Sequence, residues 1–177
     1  MPGAANPGRA GRSTPVNAED RRGSTRFAVL LSTWFGCGYA PKAPGTAGSI
    51  AGLGIGILLH EYAGFAWCHF LLLAAVVFAP ATWAATRTAV VKQLKDPQIV
   101  VVDEVLGVWI TLAGAREYNW KSYLAALALF RLFDIWKPPP VRQLEALPGG
   151  LGINLDDCMA GVYGALVLFA AGCFNLY

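Results

Sequence analysis

The sequence predicts an all-α fold: a membrane-embedded helical bundle of about five helical segments. Apolar residues make up 55% of the 177 residues and charged residues only 14%, whereas soluble globular domains have about 45–50% and about 25%. Residues 62–86 and 158–177 also carry no charged side chain, and each stretch is long enough to cross about 30 Å of hydrocarbon as a helix. These two observations together favour lipid rather than water as the surroundings of the bundle.

The first 26 residues are predicted to be a disordered, Arg-rich cytoplasmic tail. They hold five arginines against Glu19 and Asp20 and show no apolar periodicity, which is typical of disorder. They also lack the apolar core of a cleaved signal peptide. Residues 27–177 then form the helical membrane domain. Positive and negative residues balance in this domain, so no basic patch indicates a nucleic acid partner. The sequence leaves the oligomeric state open.

Three shorter apolar segments complete the bundle, at about residues 48–60, 99–115 and 122–136. The polar stretches 60–64 and 116–122 are short enough to be hairpin tips, which makes neighbouring helices antiparallel. The loop 87–97 carries Arg87, Lys92 and Lys95. By the positive-inside rule this loop and the tail lie in the cytoplasm, and the Pro-rich connection before the last span lies on the same side.

Five carboxylates interrupt the apolar segments, and they occur on three different helices: Asp103, Glu104, Asp134, Asp156 and Asp157. An ionised carboxylate in hydrocarbon costs at least about 2.5 kcal/mol, so such residues usually face the protein interior and serve a function. The up-and-down path brings all five near the cytoplasmic ends of their helices. We expect them to lie close together there.

A magnesium ion is the economical explanation for such a group of acids. Clustered carboxylates repel one another unless a cation neutralises them, and oxygen-only ligands favour a hard ion. The sequence therefore predicts Mg²⁺ as the cofactor, with the five carboxylates as metal ligands and catalytic residues. The alternative is that each acid simply pairs with a nearby Arg or Lys.

Four further residues are candidates for binding a phosphate. Arg131, Asp134 and Lys137 are three residues apart in turn and so lie near one face of a helix, where Arg suits bidentate phosphate recognition and Lys supplies a point charge. An intrahelical ion-pair ladder without a ligand explains this face equally well. Thr46 and Ser49 follow a Pro- and Gly-rich turn into a helix, where free backbone amides and hydroxyls attract phosphate.

Four sequence segments resemble the signature segments of the bacterial phosphatidylglycerophosphatase A family, and they occur in the same order: APGTAGS (43–49), VVDEVLGVWITL (101–112), FRLFDIWKPPPV (130–141) and GGLGINLDDCMAGV (149–162). The resemblance runs, with gaps, from about residue 30 to the C-terminus. It implies an all-helical, magnesium-dependent enzyme that hydrolyses phosphatidylglycerophosphate, a lipid substrate, at the bacterial inner membrane. It also implies that the five carboxylates are site residues, with Arg131, Lys137 and Thr46 at the family's other motif positions.

The expected reaction is metal-assisted hydrolysis of a phosphomonoester in phospholipid biosynthesis, with the active site facing the cytoplasm. Direct attack by water is favoured over a phosphoenzyme, because DEVLG (103–107) does not match a DxDx(T/V) phosphoaspartyl signature. The alternative function is a membrane ion or proton carrier, since intramembrane carboxylates also mark transport pathways. A carrier predicts acids spread along the membrane depth. A buried bundle in a soluble oligomer is the alternative to membrane embedding.

Overall fold

The computed structural model describes residues 15–177, with side chains from Arg22 onward. This part of the chain contains seven α-helices and no strand, which confirms the predicted all-α class. The helices are α1 (Pro15–Ser32), α2 (Pro44–Ala63), α3 (Trp67–Lys92), α4 (Val102–Leu112), α5 (Trp120–Trp136), α6 (Val141–Glu145) and α7 (Gly150–Cys173). A short 3-10 helix, Cys37–Tyr39, precedes α2.

The helix count exceeds the predicted five for two reasons. The short α6 lies inside the Pro-rich connection, where a five-residue helix leaves almost no apolar pattern to detect. The polar helix α1 begins at Pro15, within the segment predicted to be a disordered tail. It packs against α3, for instance through a 2.8 Å hydrogen bond between the hydroxyls of Ser32 and Thr88. Tertiary contact of this kind stabilises helices that have little periodicity of their own. Residues 1–14 of the predicted tail lie outside the described residues.

Helix α4 forms the centre of the bundle, and α2, α3, α5 and α7 pack around it. Nine of its eleven residues are buried, among them Val105 and Leu106, which are fully inaccessible. Buried on all sides, α4 needs no polar outer face. The adjacent acids Asp103 and Glu104 are therefore held inside the protein rather than against lipid or water.

Glycines allow the backbones of neighbouring helices to approach α4 closely. A side chain added at Gly48 of α2 would meet the Val101 Cβ at 2.7 Å, and one at Gly161 of α7 would meet the Gly107 Cα at 3.0 Å. The glycine-spaced run in α2 is thus a packing surface, as such runs usually are in membrane helices. This close approach brings the N-terminal turns of α2 and α7 next to that of α4.

Contacts at the two ends of the bundle show which helix ends lie together. At one end, the ring of His60 stacks on Tyr118 with centroids 4.2 Å apart, and the Arg116 amide donates to the Tyr177 hydroxyl. At the other end, the amide of Gly150 donates to Thr86 at 2.9 Å. The C-termini of α3 and α5 therefore lie beside the N-termini of α2, α4 and α7, in agreement with the predicted up-and-down path.

Helices α3 and α7 are long and apolar enough to cross a membrane, judged by length and composition among the described residues. Large apolar side chains also cover the outer faces of α3, α5 and α7, including Leu72, Val76, Ile135 and Leu166, each more than half exposed. Apolar patches of this extent are rare on soluble monomers. Together with the two long apolar helices, they favour a membrane-associated protein.

Candidate active site

A cavity of about 460 Å³ opens at the end of the bundle where the N-termini of α2, α4 and α7 meet the C-terminus of α5. All five predicted carboxylates line it, together with Thr46, Arg131 and Lys137. The structure thus brings eight of the nine candidate residues into one cavity. Ser49 does not line the cavity, although it touches one of the residues that do.

Glu104 lies at the centre of a charged network that joins α2, α4 and α5. The Arg131 guanidinium donates to Glu104 and pairs with Asp134 through its Nη1 at 2.8 Å. From the other side, the fully buried Ser49 hydroxyl donates to Glu104 Oε2 at 2.5 Å. The same hydroxyl lies 3.0 Å from the Gly45 carbonyl oxygen, so its one proton can serve either acceptor. Ser49 thus contacts Glu104 in the structure, and its role in phosphate binding stays a prediction.

Lys137 forms the second charged network, and its position depends on how α5 ends. The residue adopts a left-handed backbone conformation at the C-cap, with φ 48°, and Pro138 prevents the helix from continuing. Its ammonium pairs with Asp156 of α7 at 2.8 Å and with Glu145 at 3.1 Å. The Lys137 side chain therefore does not share the helix face of Arg131 and Asp134. Of the three charged residues predicted to lie on one face, only Arg131 and Asp134 pair with each other.

The ion pairs keep Lys137 positively charged. Burial lowers the pKa of its ammonium, but the hydrogen bond and charge of Asp156, together with Glu145, outweigh burial and raise the pKa well above its ordinary value. The cavity therefore holds a permanent ammonium and a permanent guanidinium, since Arg131 also stays charged at any physiological pH.

Asp103 and Asp157 differ from the other three predicted acids. They are 9% and 4% exposed, and neither forms an ion pair among the described residues. The Oδ1 atoms of Asp103 and of Asp156 are buried and accept no hydrogen bond in this part of the chain. A buried carboxylate oxygen without a hydrogen-bond donor is costly, so these atoms suit a bound cation or another donor.

The charge balance of the cavity leads to the same conclusion. Among the described residues, its lining contains seven carboxylates but only three basic side chains, a formal excess of four negative charges if all are ionised. No histidine or cysteine from this part of the chain lines it, and oxygen ligands alone favour a hard cation. Within the described residues, no group of three or more Asp, Glu, His or Cys side chains forms a ready metal site. A small set of carboxylates still suffices for Mg²⁺, which is usually bound through one or two carboxylates, water and substrate phosphate.

Sequence reasoning missed several lining residues: Lys95, Asp96, Gln98 and Glu145. They stand on the connection between α3 and α4 and at the end of α6. Both connections were predicted to lie on the same side as the acids, and that prediction is the signal that could have found them. They carry no helical pattern, however, so only the tertiary structure shows which of their side chains reach the cavity.

Comparison with known proteins identifies the family. Residues 30–172 match the family model of phosphatidylglycerophosphatase A. The chain belongs to the phosphatidylglycerophosphatase A family. A phosphatidylglycerophosphatase A of Haemophilus influenzae is 40% identical over 142 residues, which cover 80% of this chain and 86% of the relative. One from Escherichia coli is 33% identical over 144 residues, which cover 81% and 82%.

A third relative carries a different name. A protein of Bacteroides thetaiotaomicron, provisionally named a phosphatidylinositol-3-phosphatase, is 41% identical over 148 residues, or 81% of this chain and 92% of the relative. No solved structure matches the chain. Membership of the phosphatidylglycerophosphatase A family makes the protein a phosphoric monoester hydrolase, as the sequence resemblance implied, and the acidic cavity is its candidate active site.

Proposed function

We propose that this member of the phosphatidylglycerophosphatase A family removes the terminal phosphate of phosphatidylglycerophosphate, in a magnesium-dependent reaction of phospholipid biosynthesis. The products are phosphatidylglycerol and inorganic phosphate. One observation carries the proposal: the four segments that resemble the family's signatures supply acids, cations and a helix N-terminus to a single cavity. Arg131 and Lys137 suit a phosphate, and the excess of carboxylates suits the cation that would accompany it.

The substrates named by the relatives share one chemistry. Phosphatidylglycerophosphate and phosphatidylinositol 3-phosphate are both lipids in which a phosphodiester links the diacylglycerol to a polyol, and the polyol carries a phosphomonoester. The family name and two relatives favour the glycerol headgroup for this chain. The Bacteroides relative makes the inositol headgroup the second candidate.

Asp103 and Asp157 are the residues best suited to hold magnesium, because they are buried and have no cationic partner among the described residues. Asp156, with one buried oxygen lacking a donor, is the third. Glu104 and Asp134 would complete the predicted ligand set only if Arg131 released them. When bound, the ion would offset the negative charge of the acids and of the phosphate and would polarise a phosphate oxygen.

The protein's own residues would then bind and orient the phosphomonoester. Arg131 and Lys137 stabilise the charge on its equatorial oxygens, as basic clamps do in other phosphoryl-transfer sites. A water molecule attacks phosphorus and gives up its proton to a cavity carboxylate. The bond between phosphorus and the glycerol oxygen breaks, and that oxygen takes a proton to become the hydroxyl of phosphatidylglycerol. Glu104, held by Ser49, keeps Arg131 in place.

The bundle is proposed to lie in the bacterial inner membrane with the cavity at its cytoplasmic surface. Trp120 and Trp136 are each 68% exposed at the two ends of α5, separated by about 24 Å at about 1.5 Å per residue. Exposed aromatic residues are typical of the two membrane interfaces. This spacing is somewhat shorter than the roughly 30 Å of a membrane interior, and it supports a position of the cavity near the headgroups.

An ion or proton carrier is not favoured by the arrangement of the acids. A carrier needs ionisable groups along the depth of the membrane, whereas the five predicted carboxylates all line one cavity at one end of the bundle. The opposite end contains aromatic contacts and an exposed Glu61, whose carboxylate accepts a hydrogen bond from Tyr123 at 3.3 Å. No chain of carboxylates connects these two ends among the described residues.

The proposal is tested by phosphate release from the purified chain in detergent, with magnesium or with EDTA. The panel contains phosphatidylglycerophosphate, phosphatidylinositol 3-phosphate and phosphatidic acid. We expect the highest kcat/KM with phosphatidylglycerophosphate, and loss of turnover in EDTA that added magnesium restores. Preference for the inositol lipid would transfer the assignment to the second candidate, and undiminished activity in EDTA would remove magnesium from the proposal.

A further inference from the structure

Lys95 lies at the rim of the acidic cavity, three residues beyond the end of α3. It is one of three basic side chains in the lining, and the other two are already engaged. Arg131 is paired with Glu104 and Asp134, and Lys137 with Glu145 and Asp156. Lys95 is exposed and forms no ion pair or side-chain hydrogen bond with a described residue. Among the described basic side chains of the lining, Lys95 is therefore the one without an ion pair. Its charge acts on the neighbouring Asp96, and its exposed ammonium remains available to a ligand.

A lipid substrate requires a cation at this place. Its acyl chains stay in the bilayer outside the bundle, while its terminal phosphate must reach the acids and cations inside the cavity. The phosphodiester stands between these two parts of the molecule and has to cross the rim. It remains anionic at physiological pH, so it would meet the strong negative charge of the lining unless a basic side chain faces it there.

The surroundings of Lys95 fit this position at the membrane surface. Helix α3, one of the two membrane-length helices, ends at Lys92. Val90, Val91 and Leu94 are all at least half exposed just before Lys95, and they offer an apolar surface to acyl chains. Exposed apolar residues and the charged Lys92 thus alternate just before Lys95, so the segment offers both an apolar surface and charge where it borders the cavity.

We infer that Lys95 binds the phosphodiester of the substrate and so selects lipids that carry a phosphodiester in addition to the terminal phosphomonoester. This inference rests on the proposed function and adds a residue that recognises the substrate outside the reacting group. A basic side chain at the rim also explains how a cavity with excess carboxylates admits a doubly phosphorylated headgroup. Lys95 does not take part in the chemical step.

The test compares Lys95→Met and Lys95→Arg with Lys92→Met, which removes a neighbouring exposed lysine that does not line the cavity. The full-length proteins are assayed in neutral detergent. The measured quantities are kcat and KM for phosphatidylglycerophosphate, and inhibition constants for phosphatidylglycerol, which has only the diester, and for inorganic phosphate, which has none. Comparison of the two inhibition constants distinguishes binding at the rim from binding at the reaction centre.

In Lys95→Met we expect KM and the inhibition constant of phosphatidylglycerol to rise about tenfold, because a charge-assisted hydrogen bond contributes about that factor to binding. We expect kcat and the inhibition constant of phosphate to stay within about twofold of wild type. Lys95→Arg should restore most of the affinity, and Lys92→Met should resemble wild type. The inference is overturned if Lys92→Met shows the same effect, or if Lys95→Met weakens the binding of both inhibitors equally. It is also overturned if KM does not change in Lys95→Met, or if phosphatidylglycerol does not inhibit the wild-type enzyme. Failure of the wild-type enzyme to hydrolyse phosphatidylglycerophosphate would instead refute the proposed function.

Discussion

Replacing Asp157 by Asn should separate the activity of this protein from its stability. The carboxylate is buried, with only 4% of the residue exposed, and forms no ion pair among the described residues. Asn has nearly the same size, so the packing against α4 is retained. The substitution removes one carboxyl group from a cavity in which, among the described residues, carboxylates exceed basic residues by four.

Two opposite effects follow from this change. A neutral amide is a poor ligand for magnesium, so phosphate release should fall at least about tenfold, or about 1.4 kcal/mol in the barrier. In EDTA, relief of repulsion among buried carboxylates should make the variant more stable than wild type. A gain of about 1 kcal/mol would raise the unfolding temperature by about 2–4 °C for a domain of this size.

The assay combines phosphate release with thermal unfolding of the detergent-solubilised protein, each with magnesium and with EDTA. Asp103→Asn is measured in parallel, because Asp103 is also buried, at 9% exposure, and forms no ion pair among the described residues; unlike Asp157, it has one buried oxygen without a donor. Glu117→Gln is the matched control, since it neutralises an exposed acid at the opposite end of the bundle. Magnesium should raise the unfolding temperature of the wild type and of the control, and less so that of Asp157→Asn.

Retention of more than about a tenth of wild-type activity in both Asn variants would remove these residues from the catalytic site. If Asp157→Asn instead melts below wild type in EDTA, the carboxylate stabilises the fold and the reasoning from excess charge is refuted. An inactive variant that also fails to fold does not support the assignment. Thermal unfolding identifies that outcome when the variant is compared with Glu117→Gln, whose cavity is intact.

Three further predictions concern packing, topology and the N-terminus. Gly107→Ala should destabilise the fold by about 1–3 kcal/mol in denaturation assays, because its Cβ would lie 2.8 Å from a backbone oxygen of α7, whereas Gly54→Ala, with nothing within 4 Å, should be neutral or stabilising. In a cysteine-free background, an impermeant thiol reagent should label Cys at Gln143 only from the cytoplasm and Cys at Lys121 only from outside; labelling of both from one side would exclude the up-and-down orientation. Deletion of residues 1–24 removes the first ten residues of α1 but keeps its contacts with α3 through Phe27 and Ser32, so turnover in detergent should change by less than about twofold. A large loss with intact folding would contradict this.

The sequence determined the fold class and most of the site, because both depend on residue type more than on geometry. Charge-free stretches of membrane length favour helices, and α3 and α7 lie where those stretches were predicted. The five acids could also be recognised from residue type alone. Carboxylates such as Asp103 and Asp134 are so costly in an apolar segment that their presence alone indicates a shared site.

Only the tertiary structure decided which partner each charged residue has. Arg131, Asp134 and Lys137 share one helix, yet Lys137 turns away to α6 and α7, because the left-handed end of α5 redirects its side chain. Ser49 was predicted to bind phosphate, and only the structure shows that it lies outside the cavity lining and contacts Glu104. Lys95 and Glu145 have no pattern that separates them from other surface charges, and they reach the cavity through the folding of two connections. The sequence alone shows which charged residues stand in apolar segments, where a charge is costly. The partner of each charged residue depends on the distances between helices that are far apart in the chain, and only the tertiary structure gives those distances.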